Sequence, residues 1–159
     1  YGWSPRMRYD IAINKIIRDM VFSKKIEILG GTQLRFFCYN LFACKVINKI
    51  INEKSKKKNS KIFNIGNFNT NIVQLSKKIL SLTKIKGVNV FHETNTIDKR
   101  SYEVSTESSK KLIKNLNFDK FTNNSIIETF NKIKKDKLPF SDKKITLSIY
   151  KKYLKKHNV

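Results

Sequence analysis

Residues 26–52 decide the fold and read IEILGGTQLRFFCYNLFACKVINKIIN. The apolar run at 26–29 predicts a short strand, Gly30-Gly31 predicts a turn, and the aromatic run at 33–39 predicts a second strand. From 41 to 52 the apolar residues recur at helical spacing, which predicts a helix. Two short strands followed by a helix indicate an α/β protein.

The rest of the chain continues this alternation of helices and short strands. Helices are predicted at 10–22, 70–83, 106–115, 125–135 and 145–156, and further strands at 61–65 and 88–91. Asn69 or Thr70 is expected to cap the helix that ends near residue 83, and Ser105 the next one. No internal repeat and no Pro/Gly/Ser linker divides the 159 residues, so we predict one α/β or α+β fold.

The formal net charge of +22 raises the question of a polyanionic partner. Arg occurs at five positions, and the other 29 of the 34 basic residues are Lys. Lys, Asn and Ile share A/T-rich codons, so we interpret the charge as composition bias rather than as selection for nucleic acid. Where Lys is the default cation, a retained Arg suggests planar, bidentate recognition of phosphate or carboxylate.

Several classes of protein are disfavoured by the sequence. No apolar run approaches the ~20 residues of a membrane span, and residues 1–5 do not begin a signal peptide. Cys38 and Cys44 lack the companion ligands of a zinc site, so we expect buried free thiols in a reducing compartment, the cytoplasm. The absence of an initiator Met suggests a piece of a longer protein.

Four short motifs, in a fixed order, carry the strongest signal. The first two are YGWSPRMR at 1–8 and LGGTQLRFFCY at 29–39. The third is IFNIGN at 62–67, and the fourth is DKRSY at 98–102, which is followed by SKKLIKNLNF at 109–118. Each motif alone is weak, because so few residues can match by chance.

Together the motifs resemble the second half of extended short-chain dehydrogenase/reductases, the family of nucleotide-sugar epimerases and dehydratases. The resemblance covers roughly residues 1–135 and implies a substrate-binding part made of short strands and helices without the Rossmann core. Residues 136–159 have no counterpart, and we expect a basic, helical tail there. The chain departs from the family at four places: Trp3, Asn40, Phe42 and Asn117, the last standing for a Gly at a left-handed helix end.

The resemblance also implies candidate substrate-binding residues. It places Arg35 and Arg100 near the nucleotide diphosphate, and Asn14 within reach of a phosphate or a sugar hydroxyl. It places Arg6 and Arg8 on the loop that lines the sugar site. No catalytic or metal-binding residue is assigned, since the Tyr-x-x-x-Lys pair of the family lies upstream of this region.

In the family, NAD(P) serves as cofactor of the full-length enzyme and is held by the Rossmann half. We therefore expect no cofactor to bind this chain alone, whose five glycines form no Gly-x-Gly-x-x-Gly motif. The implied partners are a nucleotide-sugar, the N-terminal Rossmann half and, as in the family, a second copy. Isomerase, lyase and reductase outcomes all stay open, as do the sugar and the nucleotide.

Two alternatives remain at this point. The charge and the aromatic residues would also suit a non-enzymatic basic module that binds nucleic acid. The departure at Phe42 would also suit a decayed gene fragment, which would expose the apolar face meant for the missing half.

Overall fold

The computed structural model describes residues 1–52, 62–94 and 100–157. Helix α1 spans Ala12–Phe22 and contributes the largest share of the main core. Its face of Ile13, Ile16, Ile17 and Met20 is almost completely buried, as the i, i+3, i+4, i+7 spacing predicts. This core also holds apolar side chains from the strands and from the helices at Ile72–Thr83 and Phe118–Ile133.

Two small sheets flank this core. Strand β1 (Lys25–Leu29) pairs in parallel with β4 (Asn89–Glu93), with Lys25 opposite Asn89. Strand β2 (Leu34–Phe37) pairs antiparallel with β3 (Phe68–Asn71). The predicted α/β arrangement is confirmed.

The strand predicted at 61–65 is wrong. Residues 62–67 of the described segment form no strand, and β3 begins at Phe68. Ile62 is 95% exposed, so its side chain gains nothing from burial. The chain joins β2 only after Gly66, where the Asn67 amide donates a 2.8 Å hydrogen bond to the Phe37 carbonyl. An added Cβ at Gly66 would lie 1.9 Å from the Phe36 ring, so a larger residue there would force that ring to move.

Helix α2 (Asn40–Asn52) builds a second, smaller core. Phe42 and Val46 are fully buried, and the Phe42 ring meets Phe118 and Phe121 edge-on or tilted at 5.6 and 6.0 Å between centroids. Phe42, which stands where the resemblance implies an Asp, is therefore a packing residue. Its ring is worth several kcal/mol of burial and pairing.

Helix α3 (Ile72–Thr83) is capped by Asn71, whose Oδ1 accepts from the Gln74 amide at 2.8 Å. The predicted caps at Asn69 and Thr70 are wrong, because both residues belong to β3 and the chain leaves the strand one residue later. Lys84 ends the helix in a left-handed conformation, which closes the last turn.

Two further helices follow, α4 (Glu107–Leu112) and α5 (Phe118–Ile133). The expected start of the last family helix at 125 is wrong, because Asn117 caps α5 and accepts from the Lys120 amide at 3.0 Å. Asn117 is extended, and the left-handed residue is Asn115, at φ 61°. Ser105 is no cap either, since α4 begins after Thr106.

The C-terminal segment contains two helical elements within the described residues. A 3-10 helix at Asp142–Lys144 precedes α6 (Thr146–His157). The segment is anchored by Asp136, which accepts from Tyr9 Oη at 2.6 Å and from Lys144 Nζ at 2.5 and 2.6 Å. The helices in the described part of the chain include none long and apolar enough to cross a membrane.

The prediction of two buried thiols is half wrong. Both cysteines are free, and Cys38 is half-buried beside β2, but Cys44 is exposed on α2. Its position on the helix places it away from the stripe of Phe42 and Val46, which faces the small core.

Candidate functional site

The guanidinium of Arg35 is fixed between β2 and the loop at 100–104. Its Nη1 donates to the carbonyl of Leu34 at 2.9 Å and to the carbonyl of Arg100. The guanidinium carbon also lies 5.5 Å from the ring centroid of Tyr102, within the range of a cation–π contact. The Arg35 side chain is thus held in place by a loop that lies far from it in the sequence.

The loop at 100–104 is itself tied to both strands of the antiparallel pair. Ser101 Oγ accepts from the Leu34 amide at 3.0 Å, and the Tyr102 amide donates to the Leu34 carbonyl at 3.3 Å. The Asn69 side chain donates to the Val104 carbonyl and accepts from its amide, both at 3.0 Å. These bonds bring the second and fourth sequence motifs to one place.

An open cleft of about 400 Å³ lies beside Arg35. Its lining is mostly apolar and combines the start of α1, the strand β2, the first residue of α3 and the 100–104 loop. The lining residues are Tyr1, Ile11, Ala12, Ile13, Arg35, Phe36, Phe37, Cys38, Ile72 and Tyr102. A largely apolar wall with one fixed cation suits a ligand that joins a ring to an anionic group.

The start of α1 adds a second feature that favours an anion. Residues 11–13 line the cleft, no side chain caps the helix at Ile11, and its first turn carries no acid. The first N–H groups of a helix lack partners within it and carry a partial positive charge. This end of α1 therefore adds to the positive potential that Arg35 brings.

Arg100 lies next to Arg35 through its backbone, and its side chain is exposed. The structure thus brings residues 35 and 100 together, as their predicted roles require. The lining of the cleft includes Arg35 but not Arg100. Whether both guanidinium groups reach one diphosphate stays a prediction.

Asn14 lies on α1, where it packs against the N-terminal loop at 1–8, and is 2% exposed. Its Oδ1 accepts from the Gly2 amide at 3.1 Å, and its Nδ2 donates to the carbonyls of Gly2 and Arg8 at 3.4 and 3.1 Å. Both polar atoms of the Asn14 side chain are thus hydrogen-bonded to backbone groups. Its predicted contact with a ligand stays a prediction.

Arg6 and Arg8 lie on the same loop and are both exposed. The Arg8 guanidinium forms a bidentate pair with Asp10, with Nε–Oδ1 3.1 Å and Nη2–Oδ2 2.8 Å. Hydrogen bonding to Asp10 raises the pKa of Arg8 above its ordinary value. The lining of the cleft contains neither arginine, and their predicted place at the sugar remains untested.

Two tyrosines of the site were not singled out from the sequence. Tyr1 lines the cleft, and its hydroxyl makes a 2.6 Å hydrogen bond with Ser125 Oγ. Burial raises the pKa of Tyr1 well above its usual range. Tyr102 stood in the fourth motif, two residues after Arg100, and an aromatic residue this close to an Arg was the sequence signal that could have singled it out.

The structure offers NAD no phosphate-binding turn at its glycine pair. Gly30 and Gly31 follow β1 but lead into β2 rather than into a helix, whereas a dinucleotide turn needs a strand followed by a helix. The described residues also include no group of three His, Cys, Asp or Glu side chains that could hold a metal ion.

Solved structures that share this fold include the following three. They are dTDP-glucose 4,6-dehydratase from Bacillus anthracis with NAD (TM-score 0.62, 19% identity, 86% of this chain), UDP-glucuronic acid 4-epimerase from Bacillus cereus with NAD (0.61, 18%, 90%), and MoeE5 with UDP-glucuronic acid and NAD (0.60, 20%, 82%). The sequence matches no protein-family model and no curated protein.

The chain spans 43% of the length of each of these three structures. At this level of identity the likeness concerns the fold. The chain therefore has the fold of the C-terminal part of extended short-chain dehydrogenase/reductases of the epimerase and dehydratase type.

Proposed function

We propose that this chain is the substrate-binding part of an NAD-dependent nucleotide-sugar epimerase or dehydratase. The cleft beside Arg35 would take the nucleotide diphosphate, with the apolar lining against a ring of the ligand. Support comes from the fold, because the similar structures are an enzyme of dTDP-glucose, an enzyme of UDP-glucuronic acid and a complex with UDP-glucuronic acid.

The position of Arg35 is the observation that carries the proposal. A nucleotide diphosphate brings close to two negative charges, and a guanidinium presents a planar fork that matches phosphate oxygens. Arg35 lies on the cleft and its orientation is already fixed by Leu34 and Arg100. Binding therefore orders little that is not ordered beforehand.

The other candidate residues take secondary roles in this proposal. Arg100 supplies a second cation from the exposed loop beside Arg35. Asn14 positions the 1–8 loop, and through it Arg6 and Arg8, which would face the sugar. No catalytic residue is assigned to this chain.

Hydride transfer would need a partner segment outside this chain that holds NAD and the Tyr-x-x-x-Lys pair. We propose that the chain is inactive without it. We further propose that the full enzyme acts as an isomerase or a lyase, and that it works in the cytoplasm.

Titration of the full chain with UDP and with uridine tests the proposed site. We expect UDP to bind at least tenfold more tightly than uridine at ~0.15 M ionic strength, where exposed charges are largely screened. Equal affinities would contradict the proposal. Tight binding of single-stranded DNA with a steep salt dependence, and displacement of UDP by it, would instead favour a basic nucleic-acid module.

A further inference from the structure

Helix α6 carries its apolar and its basic residues on opposite sides. Its sequence is TLSIYKKYLKKH, and Asp142 is the last acidic residue of the protein. At 100° per residue the apolar residues fall on one arc and the four lysines on the opposite one. The apolar arc holds Ile149, Tyr150, Tyr153 and Leu154, and the basic arc holds Lys151, Lys152, Lys155 and Lys156.

Much of the apolar arc is exposed in the folded chain. Tyr150 is 62% exposed, Tyr153 58% and Leu154 42%. The main packing partner of α6 among the described elements is the 3-10 helix that precedes it. A helix of this kind is usually stabilised by burying its apolar arc, so these residues point to a surface that α6 meets outside this chain.

The base of α6 is firmly attached. Asp136 and Lys144 form an ion pair with little exposure, and the Tyr9 amide donates to the Lys144 carbonyl at 2.8 Å. The Arg18 guanidinium lies 5.2 Å from the Phe140 ring centroid. The body of the protein therefore presents α6 as a fixed appendage.

We propose that α6 binds an anionic lipid surface, lying in its plane. Tyr at the headgroup level and Leu below it suit the boundary between headgroups and acyl chains, and lysines along the edges suit anionic headgroups. The twelve residues of α6 extend about 18 Å, which is long enough to lie on a bilayer and too short to cross one.

The separation of the two arcs distinguishes lipid from nucleic acid. A single-stranded nucleic acid is bound by aromatic residues and cations that alternate on one face, because each base stacks close to its own phosphate. On α6 the tyrosines and lysines lie on opposite arcs. This inference does not depend on the nucleotide-sugar site, which uses other residues.

Vesicle co-sedimentation of the full chain tests the proposal. Vesicles of phosphatidylcholine alone are compared with vesicles to which phosphatidylglycerol is added. Wild type should bind only the latter. Lys151→Gln/Lys155→Gln should weaken that binding by at least about fivefold, since one lysine near an anionic surface accounts for roughly that factor. Tyr150→Ser/Leu154→Ser should weaken it by at least about as much, since binding also depends on the apolar area that the helix buries in the bilayer.

The matched control is Lys77→Gln/Lys120→Gln, which removes two exposed lysines from α3 and α5 and should leave binding within about twofold of wild type. An equal loss in the control would overturn the proposal, because binding would then follow diffuse charge. Unchanged binding by the serine variant, or no binding by wild type, would overturn it as well. The proposal would also be overturned if the serine and glutamine variants of α6 lost affinity for single-stranded DNA but kept their affinity for vesicles.

Discussion

The Arg35 guanidinium donates a hydrogen bond to the backbone carbonyl of Arg100, 65 residues later in the chain. The strand that carries Arg35 is short and pairs with one neighbour among the described strands. Its geometry therefore depends on the loop as much as on β3. The candidate site therefore needs both the second motif, which carries Arg35, and the fourth motif, which carries Arg100.

Ser101→Ala should weaken the contact between β2 and the 100–104 loop without changing any charge. The variant removes the acceptor for the Leu34 amide, and an exposed bond of this kind contributes about 0.5–1 kcal/mol. We expect a small loss of stability in urea unfolding and a severalfold loss of UDP affinity. Ser81→Ala, at an exposed position inside α3, should lower neither, since Ala favours a helix more than Ser does; an equal loss in both variants would contradict the role of the loop.

Asn14→Ala should destabilise the fold by about 2–4 kcal/mol. It removes bonds to Gly2 and Arg8 and leaves buried backbone groups without partners. Asn52→Ala removes an exposed amide that bonds within α2 and should cost less than about 0.5 kcal/mol. Urea unfolding measures both, and similar losses would show that Asn14 does not hold the N-terminal loop.

Asp136→Asn should cost about 2–3 kcal/mol. The Asp136 side chain is 6% exposed and its removal as an anion leaves Lys144 in a poorly solvated place. The control is Glu107→Gln, which breaks the exposed Glu107–Lys111 pair and should fall within about 0.5 kcal/mol of wild type. Thermal or urea unfolding separates them, and a neutral Asp136→Asn would refute the anchoring of the tail.

The same carboxylate gives the fold an acid-sensitive contribution. Burial by itself would raise the pKa of Asp136, but the hydrogen bonds from Lys144 and Tyr9 outweigh it and lower the pKa. A lowered folded-state pKa gives stability that is complete above the unfolded value of about 3.9 and is lost as the pH falls through the folded value. The difference in unfolding free energy between wild type and Asp136→Asn should therefore be constant from pH 5 to 7 and shrink below about pH 4. A constant difference down to pH 2 would contradict this origin.

Hydrophobic spacing predicted the helices well because their buried faces repeat within the helix itself. The stripe Ile13, Ile16, Ile17 and Met20 identified α1 without any knowledge of its neighbours. Strands depend on partners instead. The apolar residues at 62–65 resemble a strand, yet the pairing strand is Phe68–Asn71, a polar segment whose position is set by β2.

The sequence likewise indicated some residues of the candidate site and not others. The motifs singled out Arg35 and Arg100 as candidates, and their proximity follows from contacts that span 65 residues of the chain. No periodicity could indicate that Asn14 would be buried against the 1–8 loop, or that Asp136 would join Tyr9 across 127 residues. Such polar contacts depend on the packed fold.

The affinity for UDP of Arg35→Gln, compared with that of Lys114→Gln, tests the central claim most directly. Both variants remove one positive charge, and Lys114 is exposed and absent from the lining of the cleft. Calorimetric titration should show a loss of about 1.5–3 kcal/mol for Arg35→Gln, a factor of ten or more, and a change within about twofold for Lys114→Gln. Equal affinities of the two variants would contradict a diphosphate site built on Arg35.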